Sequence, residues 1–263
     1  MKTNKLIKPI LYAFCALLSI SSFAQTISAR EIMQTVIDRP DGNNRKAKLT
    51  MELINKRGSK RLRSVLIYSM DIDKDKKNLM YFLSPADVEG TAFLTWEYDD
   101  SNKEDDRWLF LPALNKTRRI SGTSAKKDYF MGTDFTYEDM GTRNIDENTY
   151  KLLENQTSND NLWVIESTPT DPRDIYSKLV SYIDKTQLIA HKIEFYDKMG
   201  NLMKTLIVTD INKVDGFWIA HKMHMVNHQQ NHETILSITD VTYNISINEN
   251  MFTVSKMEKG IVN

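Results

Sequence analysis

Two periods of apolar alternation divide the chain. Over residues 28–38 apolar positions recur at helical spacing, with Ile32, Met33, Val36 and Ile37 on one face, and Ser28 with Glu31 forms a capping-box pattern at the start. Asp41-Gly42 ends that stretch, and the period beyond it is two. Leu49, Met51 and Leu53 alternate with Lys48, Thr50 and Glu52, and Arg57-Gly58 turns the chain. In the next run Leu62, Leu66, Tyr68 and Met70 share a parity opposite Arg61, Arg63 and Ser69. One covered and one wet face is how antiparallel strands read. Further strands are predicted over 78–83, 91–98, 108–111, 117–120, 150–154, 162–168, 176–183, 190–196, 202–211, 217–226 and 233–243. The charged run 71–77 is predicted as a solvated turn, and glycine-bearing hairpin turns fall at 197–201 and 214–216. Between 202 and 211 both parities are apolar, so that strand is predicted to be covered on both sides. Many short strands with turns between them make a mostly β protein, a sandwich or a barrel-like sheet.

The first segment is of another kind. Lys2, Lys5 and Lys8 precede an apolar core over 10–20, and Ser22-Phe23-Ala24 places small residues at both cleavage positions. This predicts an export signal over residues 1–24, cleaved after Ala24, and a periplasmic mature chain over 25–263. The apolar core is shorter than the ~20 residues that span a bilayer. The single cysteine, Cys15, lies inside the leader behind Phe14, where lipid attachment wants a small residue. The mature chain therefore has no disulfide, thiol nucleophile or sulfur ligand. Loss of three lysines turns 35 cations against 35 anions into 32 against 35. That balance argues against nucleic acid, and against a strongly anionic membrane surface as the standing partner.

Candidate chemistry is sparse. His221, His224, His228 and His232 lie close together, but side chains alternate along a strand. Only His224 and His228 share a face, with His232 able to rejoin them across a turn. These three are weak metal candidates, with no interleaved acid of the kind a zinc hydrolase needs, and the expectation is no metal and no cofactor. No nucleophile elbow and no glycine-rich phosphate loop follows a strand. The acid pairs Asp105-Asp106 and Glu138-Asp139 read as loop charges. The twelve methionines beyond the initiator say more, because Met51, Met70, Met223 and Met225 fall at inward parities and methionine adapts to varied apolar shapes.

Residues 105–140 stand apart from the alternation. Trp108-Leu109-Phe110-Leu111 is stopped by Pro112, and Arg118-Arg119 and a Gly/Ser/Lys stretch follow. The segment closes on Phe130-Met131-Gly132-Thr133-Asp134-Phe135-Thr136-Tyr137-Glu138-Asp139-Met140. Thr133 is positioned to cap a short helix with an acidic first turn. The plain structural reading is a strand, a loop and a helical turn tied together by Arg118 or Arg119 pairing with Asp134, Glu138 or Asp139.

The run R-W-L-F-L-P-A-L with R-R-I and then F-M-G-T-D-F-T-Y-E-D-M resembles the signature of the outer-membrane lipoprotein-sorting protein family, the LolA-like group. The resemblance is dense over 107–140, and the order of elements fits most of the mature chain. It implies a single lipid-binding domain over 25–263: a strongly curved open antiparallel sheet, or half-barrel, around an apolar cavity with a helical lid. It also implies that Arg118 or Arg119 latches the lid, with Phe130, Met131, Asp134, Tyr137, Glu138 and Asp139 completing the latch. The implied ligand is lipid or an acylated lipoprotein. The implied partner is an inner-membrane lipid transporter of the RND type, with the protein itself a monomer.

Three functions are then ordered. The first is a non-enzymatic periplasmic carrier whose cavity wall is Leu49, Met51, Leu53, Leu62, Leu66, Tyr68, Met70, Ile193, Phe195, Phe217, Ile219, Met223 and Met225. The second is an envelope adaptor docking through Trp96, Tyr98, Tyr129 and Phe130. The third is an enzyme built on the histidines or on paired acids.

Overall fold

The computed structural model describes residues 27–154 and 159–260. The leader expected over 1–24, Cys15 included, lies outside the described residues. Helix α1 (Ala29–Ile37) starts where the alternation places it. Ser28 accepts from the Glu31 amide while the Glu31 carboxylate accepts from the Ser28 amide. Among the described residues, no helix is long and apolar enough to cross a membrane.

Thirteen strands follow: β1 (Asn44–Ile54), β2 (Lys60–Ile72), β3 (Asp75–Ser84), β4 (Ala92–Glu97), β5 (Asp106–Leu111), β6 (Lys116–Arg119), β7 (Asn148–Leu152), β8 (Leu162–Pro169), β9 (Tyr176–Asp184), β10 (Ile189–Asp197), β11 (Leu202–Val214), β12 (Phe217–Asn227) and β13 (His232–Tyr243). Two short helices, α2 (Gly122–Lys127) and α3 (Val254–Glu258), complete the set. Every strand predicted from the alternation is present. The run 71–77 is less solvated than expected: only its centre turns, while Lys76 lies half-buried between Asp41 (2.7 Å) and Asp71 (3.6 Å).

All thirteen strands join one antiparallel curved sheet in the order β6-β5-β4-β3-β2-β1-β13-β12-β11-β10-β9-β8-β7. It is a single open sheet, not a sandwich. Laid flat, its edges would stand roughly 58 Å apart at about 4.8 Å per strand. Bulges bend it. Asp210 and Asp240 take left-handed backbone inside β11 and β13, and the register of β1 against β13 slips between Lys46 and Lys48. The edges β6 and β7 are short and polar, which protects them from pairing with other chains. Because β6 and β7 are the two opposite edges yet consecutive in sequence, residues 120–147 must bridge the width of the sheet.

The inner face collects Leu49, Met51, Leu53, Val65, Ile67, Phe82, Phe93, Phe195, Leu206, Val208, Ile219, Met225 and Leu236 into the main core. For β2 the expected parity is reversed: Val65 and Ile67 point inward, whereas Tyr68 and Met70 lie on the outer face and Leu62 is 58% exposed. The misreading has a physical source. The outer face over β3–β5 is itself covered, by Phe252 and Met257 from the C-terminal turn and α3, so both parities of these strands are apolar. The 202–211 strand carries Leu206 and Val208 on its inner face, with Met203 and Ile207 half-buried, and its inner face also holds Lys204.

Candidate functional site

The bridge across the inner face is tied to the sheet by many hydrogen bonds, ion pairs and ring contacts. Pro112 ends β5, β6 runs back, and α2 carries the chain inward. Residues 128–137 then fold on themselves: the Phe130 amide donates to the Phe135 carbonyl (2.7 Å) and the Tyr137 amide to that of Asp128 (3.2 Å). The tip needs left-handed backbone at Met131 (φ 49°) and Gly132 (φ 75°), which glycine adopts freely and methionine does not. The Arg63 guanidinium donates to the Met131 carbonyl. Thr133 caps no acidic helix; it is buried, and its hydroxyl donates to the Phe130 carbonyl at 2.7 Å.

On one side the bridge meets the sheet through rings. Phe130 is fully buried, with its centroid 5.0 Å from Phe93, 6.1 Å from Phe82 and 5.5 Å from Tyr137, and Tyr137 lies 5.5 Å from Phe93. On the other side it meets the sheet through charge. Lys204 is wholly buried; its ammonium donates to the Asp139 carboxylate (3.0 Å) and the Asp134 carbonyl (2.9 Å), and the Tyr129, Tyr176 and Phe195 rings surround it at 5.0–5.4 Å. Asp139 also accepts from the Tyr176 hydroxyl (2.7 Å) and the Thr136 amide (2.9 Å). Burial alone would raise the pKa of Asp139, but Lys204, Arg143 and these hydrogen bonds outweigh it and hold the group below its ordinary range. The Tyr176 hydroxyl is pushed well above its own range by burial and by Asp139. Asp134 accepts from the Thr234 hydroxyl at 2.7 Å and lies 2.7 Å from His232 Nδ1. Behind these, Glu138 pairs with Lys126 (2.5 Å) and Arg143 (3.3 Å), and Arg143 with buried Asp174 (2.7 Å).

Where the bridge leaves the inner face, Glu97 accepts from the Thr142 amide (3.1 Å) and from Asn78 (2.9 Å). Burial, with Asp105 nearby, pushes its carboxyl up to about 7 against the pull of the Thr142 amide, Lys76 and Arg107. A cavity of about 1040 Å³ opens here between the end of α1, the 98–105 loop and the bridge. It is lined by charged side chains, Asp38, Arg39, Asp41, Lys76, Glu97 and Arg143 among them, and so differs from the apolar cavity expected. Beneath the bridge Phe130, Phe135 and Tyr137 pack into the main core instead.

Of the expected wall, Leu49, Met51, Leu53, Phe195, Ile219 and Met225 are buried in the main core, with Ile193 and Met223 packed against it. Phe217 packs against the tilted ring of Tyr243, with centroids 4.9 Å apart, at the cavity's edge. Leu62, Leu66, Tyr68 and Met70 lie on the other parity. Phe130, Met131, Asp134, Tyr137, Glu138 and Asp139 do come together, but Arg118 and Arg119 do not join them. Both arginines are exposed, Arg118 lying 3.7 Å from Asp128 and Arg119 pairing with Asp106. The basic partners are Lys204, Lys126 and Arg143. Lys204 had a legible signal, a lysine at the parity of Leu206 and Val208; Arg143 had none. The histidines diverge: His224 goes to Glu233 (2.7 Å), His228 to Thr205 (2.8 Å) and His232 to Asp134. The aromatics expected on a docking face are used internally, Trp96 donating to the Phe252 carbonyl (2.8 Å) and Phe130 filling the core.

Residues 74–259 match the model of a family described as an uncharacterized protein. The crystal structure of an outer membrane lipoprotein-sorting protein domain from Vibrio parahaemolyticus is 34% identical, with a TM-score of 0.81 over 88% of this chain and 98% of that one. A DUF1329 family protein from Desulfovibrio piger is 28% identical, with a TM-score of 0.81 over 87% and 97% of the two chains. A LolA superfamily protein from Nitrosomonas europaea, 18% identical, shares the fold with a TM-score of 0.68 over 87% and 99%. No curated protein matches the chain.

Proposed function

Because this chain belongs to the family of outer membrane lipoprotein-sorting protein domains and has the LolA-like curved sheet, we propose that it is a periplasmic carrier holding the acyl chains of a lipid or lipoprotein on the inner face of that sheet. In this reading it passes its cargo beside an inner-membrane lipid transporter, and it performs no reaction. The observation that carries the proposal is the ring contact of Phe130 and Tyr137 with Phe82 and Phe93. An apolar wall covered by rings of the chain's own bridge is a surface that an acyl chain can cover in their place. Each buried methylene contributes ~0.8 kcal/mol, so one acyl chain offsets the displacement of a phenylalanine whose burial is worth about 1.5–3 kcal/mol. The charged side of the bridge stays seated and limits how far the cover swings.

Native mass spectrometry with lipid extraction tests this on the protein purified gently from its exported compartment. The expected result is a bound acyl lipid or acylated peptide that leaves on delipidation, with higher uptake of added lipid by Phe130→Ala. Bare polypeptide mass, with no uptake of added lipid by either protein, would overturn the proposal.

A further inference from the structure

We propose that one end of the sheet, formed by the β1–β2, β3–β4, β5–β6 and β10–β11 turns, docks on an anionic lipid surface. The antiparallel register places these turns at the same end: Ile54 lies opposite Lys60, Ser64 opposite Ser84, Leu111 opposite Lys116 and Tyr196 opposite Leu202, while Ile54 faces Glu233 on β13 and Asn227 of β12 lies between His232 and Lys204. Two independent features meet there. Of the six exposed large apolar side chains among the described residues, five sit at this end: Leu62, Leu83, Leu114, Met199 and Leu202, the last two beside one turn. Single exposed apolar residues are normal on any surface, but their confinement to one rim is not random scatter.

The second feature is charge. The β1–β2 turn and its flank carry Lys56, Arg57, Lys60 and Arg61 with no acid among them, and of these only Lys60 has a carboxylate partner, Glu52 at 2.6 Å. At the opposite end the β4–β5 loop carries Asp99, Asp100, Glu104 and Asp105 against Lys103 alone. Asp87 and Glu89 in the β3–β4 loop, Asp197 in the β10–β11 turn and Glu233 beside the β1–β2 turn temper the basic end, with Asp87 set against Arg63. Two turns at opposite ends of a chain with equal numbers of cations and anions thus carry opposite charge, and overall balance, which argued against such a surface, does not describe the β1–β2 turn. Apolar tips that enter the headgroup layer beside unpaired cations that meet lipid phosphates suit an anionic bilayer better than any neutral partner.

Co-sedimentation of the delipidated protein with vesicles tests the proposal, comparing phosphatidylcholine alone with phosphatidylcholine mixed with phosphatidylglycerol. Binding to the mixed vesicles only, weakened by salt, is expected. Arg57→Glu with Arg61→Glu should lower vesicle partition by ~25-fold or more, at roughly fivefold per cation lost from the surface. Lys74→Glu with Lys103→Glu makes the same change in net charge at the other end and should leave partition unchanged. Leu114→Ser with Met199→Ser should lower binding at high salt as well. Equal binding to both vesicle types, equal loss from the two charge reversals, or a dimer broken by Arg57→Glu with Arg61→Glu in the absence of vesicle binding would each overturn it. Unchanged thermal melting of these surface variants separates a docking effect from misfolding. Vesicle partition does not read bound acyl chain, so docking fails or stands separately from the carrier reading.

Discussion

Toward β3 and β4 the bridge touches the sheet through Phe130 and Tyr137 on Phe82 and Phe93; toward β9, β11 and β13 it touches through Asp134 and Asp139 on Lys204, Tyr176, His232 and Thr234. The first contact is non-directional: any apolar group of similar volume recovers most of its free energy, at roughly 25 cal/mol per Å². The second is specific, because a buried charge that loses its partner has no substitute within reach. One bridge therefore has a side that can exchange partners and a side that cannot. A cover that must stay attached while its apolar part is displaced needs both.

The largest expected effect tests the charged side. Lys204→Met strands the Asp139 carboxylate beneath the bridge and should cost ~3–5 kcal/mol of unfolding free energy measured in urea, while adding Asp139→Asn should restore most of that loss. A single-variant loss no larger than that of an exposed ion pair would break the comparison. Next comes the charged cavity beyond that side. Glu97 holds its proton up to about 7 when folded and to 4.5 when unfolded, so the folded state carries the extra proton between these values. Its contribution is full below pH 4.5 and declines as pH rises through 7, a change of ~3 kcal/mol in all. Glu97→Gln should therefore flatten that decline and melt higher than the parent protein at pH 8, while keeping an acceptor for the Thr142 amide. A parallel pH dependence in both proteins would assign the titration elsewhere. The smallest effect belongs to Arg119→Ala, which removes an exposed pair with Asp106 and should change stability by less than about 0.5 kcal/mol. Limited proteolysis within 120–140 should be unaltered, and accelerated cleavage there would return the latch to the arginine pair.

Much of the fold is legible without coordinates because a strand's alternation is local. Leu49, Met51 and Leu53 declare β1, and Ser28 with Glu31 declares the start of α1. Legibility ends where a second layer covers a strand's other face. The β2 parity was hidden because Tyr68 and Met70 are apolar for a different reason from Val65 and Ile67: they meet the C-terminal turn and α3 side, not the inner core. The bridge was legible as a distinct segment from its mixed aromatics and acids, but its partners were not. Arg118 and Arg119 lie nearer in sequence, yet the acids reach Lys204 and Arg143 instead.

The amino-acid sequence by itself determined the elements, their order, the resemblance to a family and the segment that interrupts the alternation. Each of these depends on neighbours within a few residues, where backbone geometry sets the period. Only the tertiary structure decided that consecutive β6 and β7 are opposite edges, and so that the bridge must cross the inner face. It also decided that Asp139 meets Lys204 and that exposed Leu62, Leu83, Leu114, Met199 and Leu202 fall at one end of the sheet. Those outcomes follow from how thirteen strands are ordered and bent, which brings together residues whose separation along the chain carries no record of their meeting.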